Sequence, residues 1–154
     1  MNYKMPRGYR NNNPLNIRHG NSKWQGMAQQ QTDPAFVQFV SMEYGYRAAF
    51  RLLRNYYLTY NLRTIADIIG RWAPQNENNT AAYIKKVSEM TGIAPNHLIA
   101  YQDANAWIAI VRAMAYVENG TMPRMEEICE GWRKTLSPAS PVKGEERYRI
   151  ANGV

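Results

Sequence analysis

Apolar residues recur at steps of three and four through most of the chain after residue 40, which is the pattern of amphipathic helices packed around one core. The clearest case is residues 104–119, which follow the capping residue Asp103 and end before Gly120. The apolar side chains of this segment form the wide stripe of a core-facing helix, namely Ala104, Trp107, Ile108, Val111, Met114 and Ala115. A fold built mainly of helices is therefore predicted.

Four further helices are predicted from the same period and from signals at their ends. Ser41 is placed to cap the first of them, and Thr64, with Asp67 three residues later, is placed to cap the second. Pro74 and Gly92 are expected to stop the second and third helices. The predicted helices cover about residues 41–60, 64–73, 79 or 80 to 91, and 123–136.

No helical period occurs over residues 7–39, where turn-forming Asn, Pro, Gly and Asp residues are frequent. We predict loops there, with a short hairpin and a short strand over residues 36–40. After residue 136 the period is lost again, so residues 137–154 are predicted to be a C-terminal tail. The chain is thus expected to form a single domain over residues 1–136, with an irregular N-terminal lobe.

The chain has 154 residues, with 19 Lys and Arg against 12 Asp and Glu, so its formal charge is +7. This balance calls for an acidic partner but leaves nucleic acid, a membrane surface and an anionic polymer open. No apolar run is long enough for membrane insertion, and none follows the basic N-terminus as in a signal peptide, so we expect synthesis in the cytoplasm. One Cys and two His residues predict no disulfide framework, no metal centre and no cofactor.

Glu118 is the carboxylate with the most unusual predicted position. The stripe through Trp107, Val111 and Met114 reaches Glu118 after four more residues, so this side chain falls on the apolar face in the last turn. Burial and the negative end of the helix dipole would both raise its pKa. A carboxyl that stays protonated near neutral pH can protonate a departing glycosidic oxygen. The alternative is that this side chain bends out into solvent.

Glu43 is the second candidate carboxylate, in the first turn of the helix that follows Ser41. The helix dipole favours the anion at this end, so Glu43 is expected to stay ionised. Two carboxyl groups in opposed environments can divide the roles of acid and base between them. The alternative is that Glu43 is an ordinary negative charge at a helix start.

Amide and aromatic side chains are the candidate ligand-binding groups. Asn12, Asn13 and Asn16 lie in an amide-rich turn and can bind the N-acetyl and hydroxyl groups of a sugar, but Asn also builds turns without a ligand. Trp24 and Trp72 offer stacking surfaces for a sugar or a base, with a position in the core as the alternative. The turn and the two indoles are therefore candidates for substrate binding.

Several separate blocks resemble, in order, a phage and prophage protein family described as virion structural proteins or lysozyme-like cell-wall hydrolases. They include RGYRNNNPLNIR at 7–18, WQG at 24–26, EYGYRA at 43–48, RWAP at 71–74, EN at 77–78 and ENG at 118–120. The resemblance covers about residues 7–120. It implies a mainly α fold of the α+β lysozyme-like class around a glycan cleft, and cleavage of the β-1,4 backbone of peptidoglycan.

The helix end AYVENG at 115–120 is also similar to the catalytic block of lytic transglycosylases and bacterial glucosaminidases. In those enzymes an Asn-rich turn and a Trp-x-Gly follow the catalytic Glu, whereas here they precede it. The resemblance therefore implies a circularly permuted lysozyme-like fold in which the Glu118 helix meets the turn at residues 12–17. It makes Glu118 the catalytic acid, with Glu43 as an optional second carboxylate. The implied substrate-binding residues are Asn12, Asn13, Asn16, Trp24, Gln25, Trp72, Glu77, Asn78, Tyr83 and Asn119.

The sequence leaves three functions open. The first is a peptidoglycan glycosidase of phage origin, which reaches the cell wall from the host cytoplasm by holin release or arrives with the virion. The second is a non-enzymatic virion structural or wall-binding protein with the same fold, whose partners include other virion proteins. The third, a nucleic-acid binder, is permitted by the charge but is the less favoured reading, because the basic residues form no recognition motif. Arg47, Arg51 and Arg54 share one helix side and are expected to form a local basic patch or a solvated face.

Overall fold

Helices make up most of the described molecule, as predicted. The computed structural model describes residues 4–74 and 77–136, with the backbone alone for residues 77 and 78, so the predicted tail at 137–154 lies outside the described residues. Over these ranges the structure has six helices: α1 (Arg7–Arg10), α2 (Met42–Tyr60), α3 (Ile65–Trp72), α4 (Glu77–Thr91), α5 (Ala104–Asn119) and α6 (Met125–Thr135). Within the described ranges, no helix has the length and apolar character needed to cross a membrane.

Helix α2 packs most extensively against α6, and it also contacts α5. Gly131 allows the close approach of α6, because a Cβ at this position would lie 2.5 Å from the Cβ of Tyr46. Nearby, the rings of Phe50 and Trp132 meet edge to face, with their centroids 5.1 Å apart. A close backbone approach and an aromatic contact thus hold α6 on α2.

Two predicted helix caps are confirmed, and a third is not. Thr64 Oγ1 accepts a hydrogen bond from the backbone N–H of Asp67 at 3.0 Å, and Asp103 Oδ1 accepts one from the N–H of Ala106 at 3.1 Å. Ser41 occupies the N-cap position of α2, but its side chain makes no capping hydrogen bond. The start of α2 therefore depends on its packing more than on a cap.

The helices begin and end within a few residues of their predicted bounds, with shifts at the starts of α4 and α6. Gly120 closes α5 with φ 77°, and Gly92 follows α4 with φ 73°, as predicted. Asn61 closes α2 in the same left-handed conformation, with φ 58°. Helix α4 begins at Glu77, two or three residues before the predicted start at Asn79 or Thr80, because capping signals locate a helix end only approximately.

The segment before α2 is irregular, as predicted, but it differs from the prediction in two details. Residues 7–10 form the short helix α1, which the sequence did not indicate because four residues are too few to show a period. In place of the predicted strand at 36–40, the described residues form two isolated antiparallel bridges, Arg18 with Phe36 and Met27 with Phe39. Backbone hydrogen bonds still join these stretches, for example from the N–H of Val37 to the carbonyl of Ile17 at 3.0 Å.

Buried side chains of this irregular segment and of the helices form one core. Leu15 and Ile17 from the segment are fully buried in it, and Trp24 is 3% exposed. Because both parts contribute to the same core, the turn at residues 11–16 has a defined position relative to α5. That position decides what surrounds Glu118.

The predicted basic patch on α2 is wrong. Arg47 and Arg51 are only 2% and 8% exposed, so they belong neither to a surface patch nor to a solvated face. Arg54 is half-buried, with its guanidinium carbon 5.9 Å from the centre of the Tyr101 ring. The prediction failed because α2 contacts both α5 and α6, and positions that look outward by their period are then covered.

Candidate active site

Glu118 lies in the last turn of α5 with its carboxyl turned inward, as the apolar stripe predicts. Its Oε1 accepts a hydrogen bond from Nδ2 of Asn16 at 2.8 Å, and its Oε2 accepts one from the hydroxyl of Tyr83 at 3.0 Å. The indole N–H of Trp72 donates a third hydrogen bond to this carboxyl. The three donors come from the N-terminal segment, α4 and α3, so the site is assembled from distant parts of the chain.

Burial raises the pKa of Glu118 above that of an ordinary glutamate. The hydrogen bonds from Asn16, Tyr83 and Trp72 oppose this effect, because they stabilise the carboxylate, and the charge of Arg18 acts in the same direction. The net shift is upward. The carboxyl therefore keeps its proton to a higher pH than a solvated glutamate does, yet the anion left after proton transfer still has groups that stabilise it.

A tight turn at residues 11–16 aims Asn16 at Glu118. Asn12 and Asn16 adopt left-handed backbone conformations, with φ 52° and 55°, which Asn tolerates better than most residues. The amide of Asn13 holds the turn from inside, donating to the carbonyls of Ile17 and Val37 at 2.9 Å and 2.8 Å. Its Oδ1 accepts a bond from the N–H of Ile17 at 2.9 Å. The run of asparagines thus has a structural cause.

Asn119 ties this turn to the end of α5. Its Nδ2 donates to the carbonyls of Pro14 and Ala115, at 2.8 Å and 2.9 Å. Helix α1 covers the same joint because Gly8 has no side chain, and a Cβ there would lie 2.5 Å from Oδ1 of Asn119. Asn119, which the sequence predicts to bind substrate, therefore joins the turn to the end of α5 through hydrogen bonds to the backbone.

Two aromatic residues pack behind the carboxyl of Glu118. Trp72, the last residue of α3, is fully buried, and its ring centre lies 6.0 Å from that of Tyr56. Tyr83 on α4 is 8% exposed. Its burial and the neighbouring carboxylate raise the pKa of the Tyr83 phenol well above its ordinary value, so it stays a neutral hydrogen-bond donor.

The structure does not pair Glu43 with Glu118. Glu43 lies in the first turn of α2, as predicted, and its carbonyl oxygen would be 3.0 Å from a Cβ on Gly131 of α6. Its charge raises the pKa of Glu127 on α6, and it is not among the groups that shift the pKa of Glu118. The expected second carboxylate thus lies in the contact between α2 and α6, which brings a different acid next to it.

Two further predicted ligand residues are buried. Trp24 is 3% exposed and belongs to the core, which was the alternative for this residue. Asn13 is fully buried, and both hydrogens of its amide are bonded to backbone carbonyls. Neither side chain is placed to contact a ligand at the surface, because folding uses both for packing or for hydrogen bonds inside the turn.

Two other predicted ligand residues are half-buried in the N-terminal segment, and the side chains of two more lie outside the described part of the chain. Asn12 is half-buried and donates to the carbonyl of Phe39 at 3.0 Å. Gln25 is half-buried in the turn before Gly26, which has φ 77°. The side chains of the two remaining residues, Glu77 and Asn78, lie outside the described residues.

Two charged residues of the N-terminal segment were not predicted as site residues from the sequence. Arg18 acts on the pKa of Glu118. Asp33 accepts two hydrogen bonds from the guanidinium of Arg7, at 2.7 Å and 2.8 Å, and one from Nδ2 of Asn11 at 2.9 Å. These bonds hold the pKa of the Asp33 carboxyl well below its usual range. An irregular segment has no period, so nothing in the sequence predicts which of its side chains meet.

Other parts of the described structure offer less chemistry. No three His, Cys, Asp or Glu side chains in these residues are grouped as metal ligands would be. A groove of about 340 Å³ lies where α2, α5 and α6 meet, and its walls include Phe50, Tyr57, Trp107 and Trp132. It contains none of the predicted site residues. We therefore take the surroundings of Glu118 as the candidate active site.

The fold and the site define a small, mainly helical protein with one buried carboxyl held by three hydrogen-bond donors. Over 130 residues the chain is 41% identical to Protein P5 of Pseudoalteromonas phage PM2, and the matched region covers 82% of this chain and 79% of that protein. The chain therefore belongs to the family of this phage protein, which confirms the expected phage relationship. No protein-family model matches it.

Proposed function

We propose that the protein cleaves the glycan strands of peptidoglycan, with Glu118 as the general acid. The observation that carries the proposal is a buried carboxyl with a raised pKa, bonded to Asn16, Tyr83 and Trp72. A carboxyl of this kind can give its proton to the glycosidic oxygen as the bond to the sugar breaks. The substrate class follows from the resemblance of the sequence to lysozyme-like wall hydrolases.

The groups around Glu118 suit both states of a proton-transfer cycle. Tyr83 and Asn16 each bond a different oxygen, which fixes the orientation of the carboxyl while leaving further lone pairs for a proton. After the proton is given up, the same hydrogen bonds and the charge of Arg18 stabilise the carboxylate. The anion can then act as the base and remove the proton from the hydroxyl group that attacks the cleaved sugar.

A single-acid route fits this site better than a pair of carboxylates. Among the described residues, the groups that shift the pKa of Glu118 include no second carboxylate, and Glu43 lies against α6 instead. The resemblance to lytic transglycosylases implies such a route, in which one Glu acts first as the acid and later as the base. Glu43 is therefore left out of the proposed chemistry.

Contacts between the turn and the end of α5 support a permuted lysozyme-like arrangement. The resemblance implies that the helix ending in Glu118 meets the turn at residues 12–17. The 2.8 Å hydrogen bond from Asn16 to Glu118 joins these two segments across 102 positions of sequence, and the bond from Asn119 to the carbonyl of Pro14 adds a second link. These two links support the proposal that Glu118 and the turn belong to one site.

A non-enzymatic role in the virion or at the cell wall is the second candidate. The observation that favours it is the three hydrogen bonds on Glu118, because a purely structural buried carboxyl would also be hydrogen-bonded in this way. Membership of a phage protein family agrees with either role. The basic patch on α2 does not support nucleic-acid binding, because Arg47 and Arg51 are buried.

Lysis of purified peptidoglycan, followed by turbidity, tests the proposal with Glu118→Gln and the matched control Glu127→Gln. The pKa of Glu127 is also raised, so the control removes a perturbed carboxyl from another place. We expect Glu118→Gln to slow lysis by at least about 100-fold, the usual range for a general acid, and Glu127→Gln to stay within about twofold of wild type. Lysis that survives Glu118→Gln would overturn the assignment, and no lysis by the folded wild type would favour the structural role.

A further inference from the structure

Two arginines stack on one aromatic ring at the edge of the proposed site. The guanidinium carbons of Arg7 and Arg18 lie 4.6 Å and 4.9 Å from the centre of the Phe36 ring. Arg7 also donates two hydrogen bonds to Asp33, so its charge is balanced and its position is fixed. Arg18 is exposed, and its backbone bridges to Phe36. The ring is thus a platform that restricts where the guanidinium of Arg18 can point.

Arg18 is close enough to Glu118 for its charge to lower the pKa of that carboxyl. Arg18 follows Asn16 by two residues. An exposed basic residue thus comes directly after the turn that donates a hydrogen bond to Glu118. If a glycan binds at Glu118 as proposed, the charge of Arg18 acts in the same region, because it already acts on that carboxyl. The N–H groups of the planar guanidinium can donate two parallel hydrogen bonds to the two oxygens of a carboxylate. Carboxylate and phosphate are the anions that arginine binds best.

We propose that Arg18, held on Phe36, forms a carboxylate-binding subsite beside Glu118. The inference rests on the proposed function and specifies its substrate, a glycan whose sugars carry acidic substituents. In peptidoglycan that group is a carboxylate, either on the lactyl substituent of muramic acid or on the peptide attached to it. The subsite selects such a glycan over a neutral chitin-type strand, since a neutral strand offers the guanidinium no partner of opposite charge.

Binding to uncleaved ligands tests the subsite without depending on turnover. Every variant carries Glu118→Gln, and calorimetry compares neutral chitotetraose, a peptide-free muramyl tetrasaccharide with free lactyl carboxylates, and the same sugar with peptide stems. We expect Arg18→Gln to weaken binding of a carboxylated ligand by about tenfold, and binding of chitotetraose by less than about twofold. A loss confined to the peptide-free sugar assigns the lactyl carboxylate, and a loss confined to the peptide-bearing sugar assigns the peptide.

Arg63→Gln is the matched control for this experiment. Arg63 is another exposed arginine stacked on a ring, 4.8 Å from the centre of Tyr57, and it is not among the groups that act on Glu118. Its removal should leave all three affinities within about twofold, because a distant surface charge contributes little. Arg18→Lys is a second variant that keeps the charge and should lose only about threefold, again for carboxylated ligands alone.

Two kinds of failure are distinguishable. Equal weakening of all three ligands by Arg18→Gln, or no weakening of either carboxylated sugar, overturns the subsite while leaving Glu118 in place. If the Glu118→Gln parent, shown by circular dichroism to be folded, binds none of the three glycans, both the subsite and the proposed function are overturned.

Discussion

Among the described residues, two carboxyl groups have raised pKa values, but their surroundings differ. At the end of α5, burial raises the pKa of Glu118, while three hydrogen-bond donors and the charge of Arg18 stabilise its carboxylate form. On α6, burial raises the pKa of Glu127 together with the negative charges of Glu43 and Glu126. At Glu118, burial favours the protonated carboxyl while hydrogen bonds stabilise the carboxylate. At Glu127, burial and neighbouring negative charges both disfavour the carboxylate. A raised pKa therefore identifies a candidate acid only where donors for the anion are also present.

The largest effect on stability that separates the two regions should come from Asn119→Ala. This change removes the side-chain donor to the carbonyls of Pro14 and Ala115 at the joint between the turn and α5. We expect the free energy of unfolding, measured by urea denaturation, to fall by about 2 kcal/mol. In the other region Glu43→Gln should change it by less than about 0.5 kcal/mol, since a lost helix-dipole interaction and relieved repulsion oppose each other. A small effect of Asn119→Ala would show that the joint does not depend on this side chain.

A smaller effect is expected on activity when one phenol is removed from each region. Tyr83→Phe deletes the hydrogen bond to Oε2 of Glu118 and should lower kcat/KM for glycan cleavage by about tenfold, which corresponds to about 1.4 kcal/mol. Tyr46→Phe removes a buried phenol whose pKa is raised by burial and by Glu127. Its activity should stay within about twofold of wild type. Equal losses in the two variants would mean that the donors around Glu118 have no special part in the reaction.

The pH dependence of stability should separate the two acids by the smallest margin. The pKa of Glu118 is higher in the folded protein than in the unfolded chain, so the folded state holds this proton more tightly. Its contribution is fully present below the unfolded value of about 4.3 and is lost as the pH rises through the folded value. Glu118→Gln should therefore reduce the fall in melting temperature above about pH 4. Glu127→Gln should reduce it less, because that carboxyl is more solvated, and a larger effect of Glu127→Gln would contradict the comparison.

The sequence predicted those features that depend on helical period. The helix at 104–119 and the inward position of Glu118 both follow from steps of three and four residues, and the structure confirms them. The contact of Glu43 with α6 and the burial of Arg47 were not predictable from this period. They depend on which sides of α2 are covered by α6, and that packing leaves no mark in the period of α2 itself.

The irregular segment shows a different limit. Its amides were recognised as a group, but Asn13 turned out to bond backbone carbonyls within the core, whereas Asn16 reaches Glu118. Their difference arises from the fold of the turn, since the two residues have the same chemistry and lie three positions apart. The stacking of Arg18 on Phe36 likewise joins residues 18 positions apart in the chain. Neither contact has a periodic signal.

The most direct measurement asks whether Glu118 brings its proton to the bond that is cleaved. The pH dependence of kcat/KM for glycan cleavage is set beside an NMR titration of the glutamate carboxyl carbons, with the Glu118 signal assigned by its loss in Glu118→Gln. We predict a pKa for Glu118 above the ordinary value of about 4.3, and a rate that falls as the pH rises through that pKa, because a general acid must be protonated. A Glu118 signal that titrates at or below the ordinary value, or a rate that does not follow it, would contradict the proposed role.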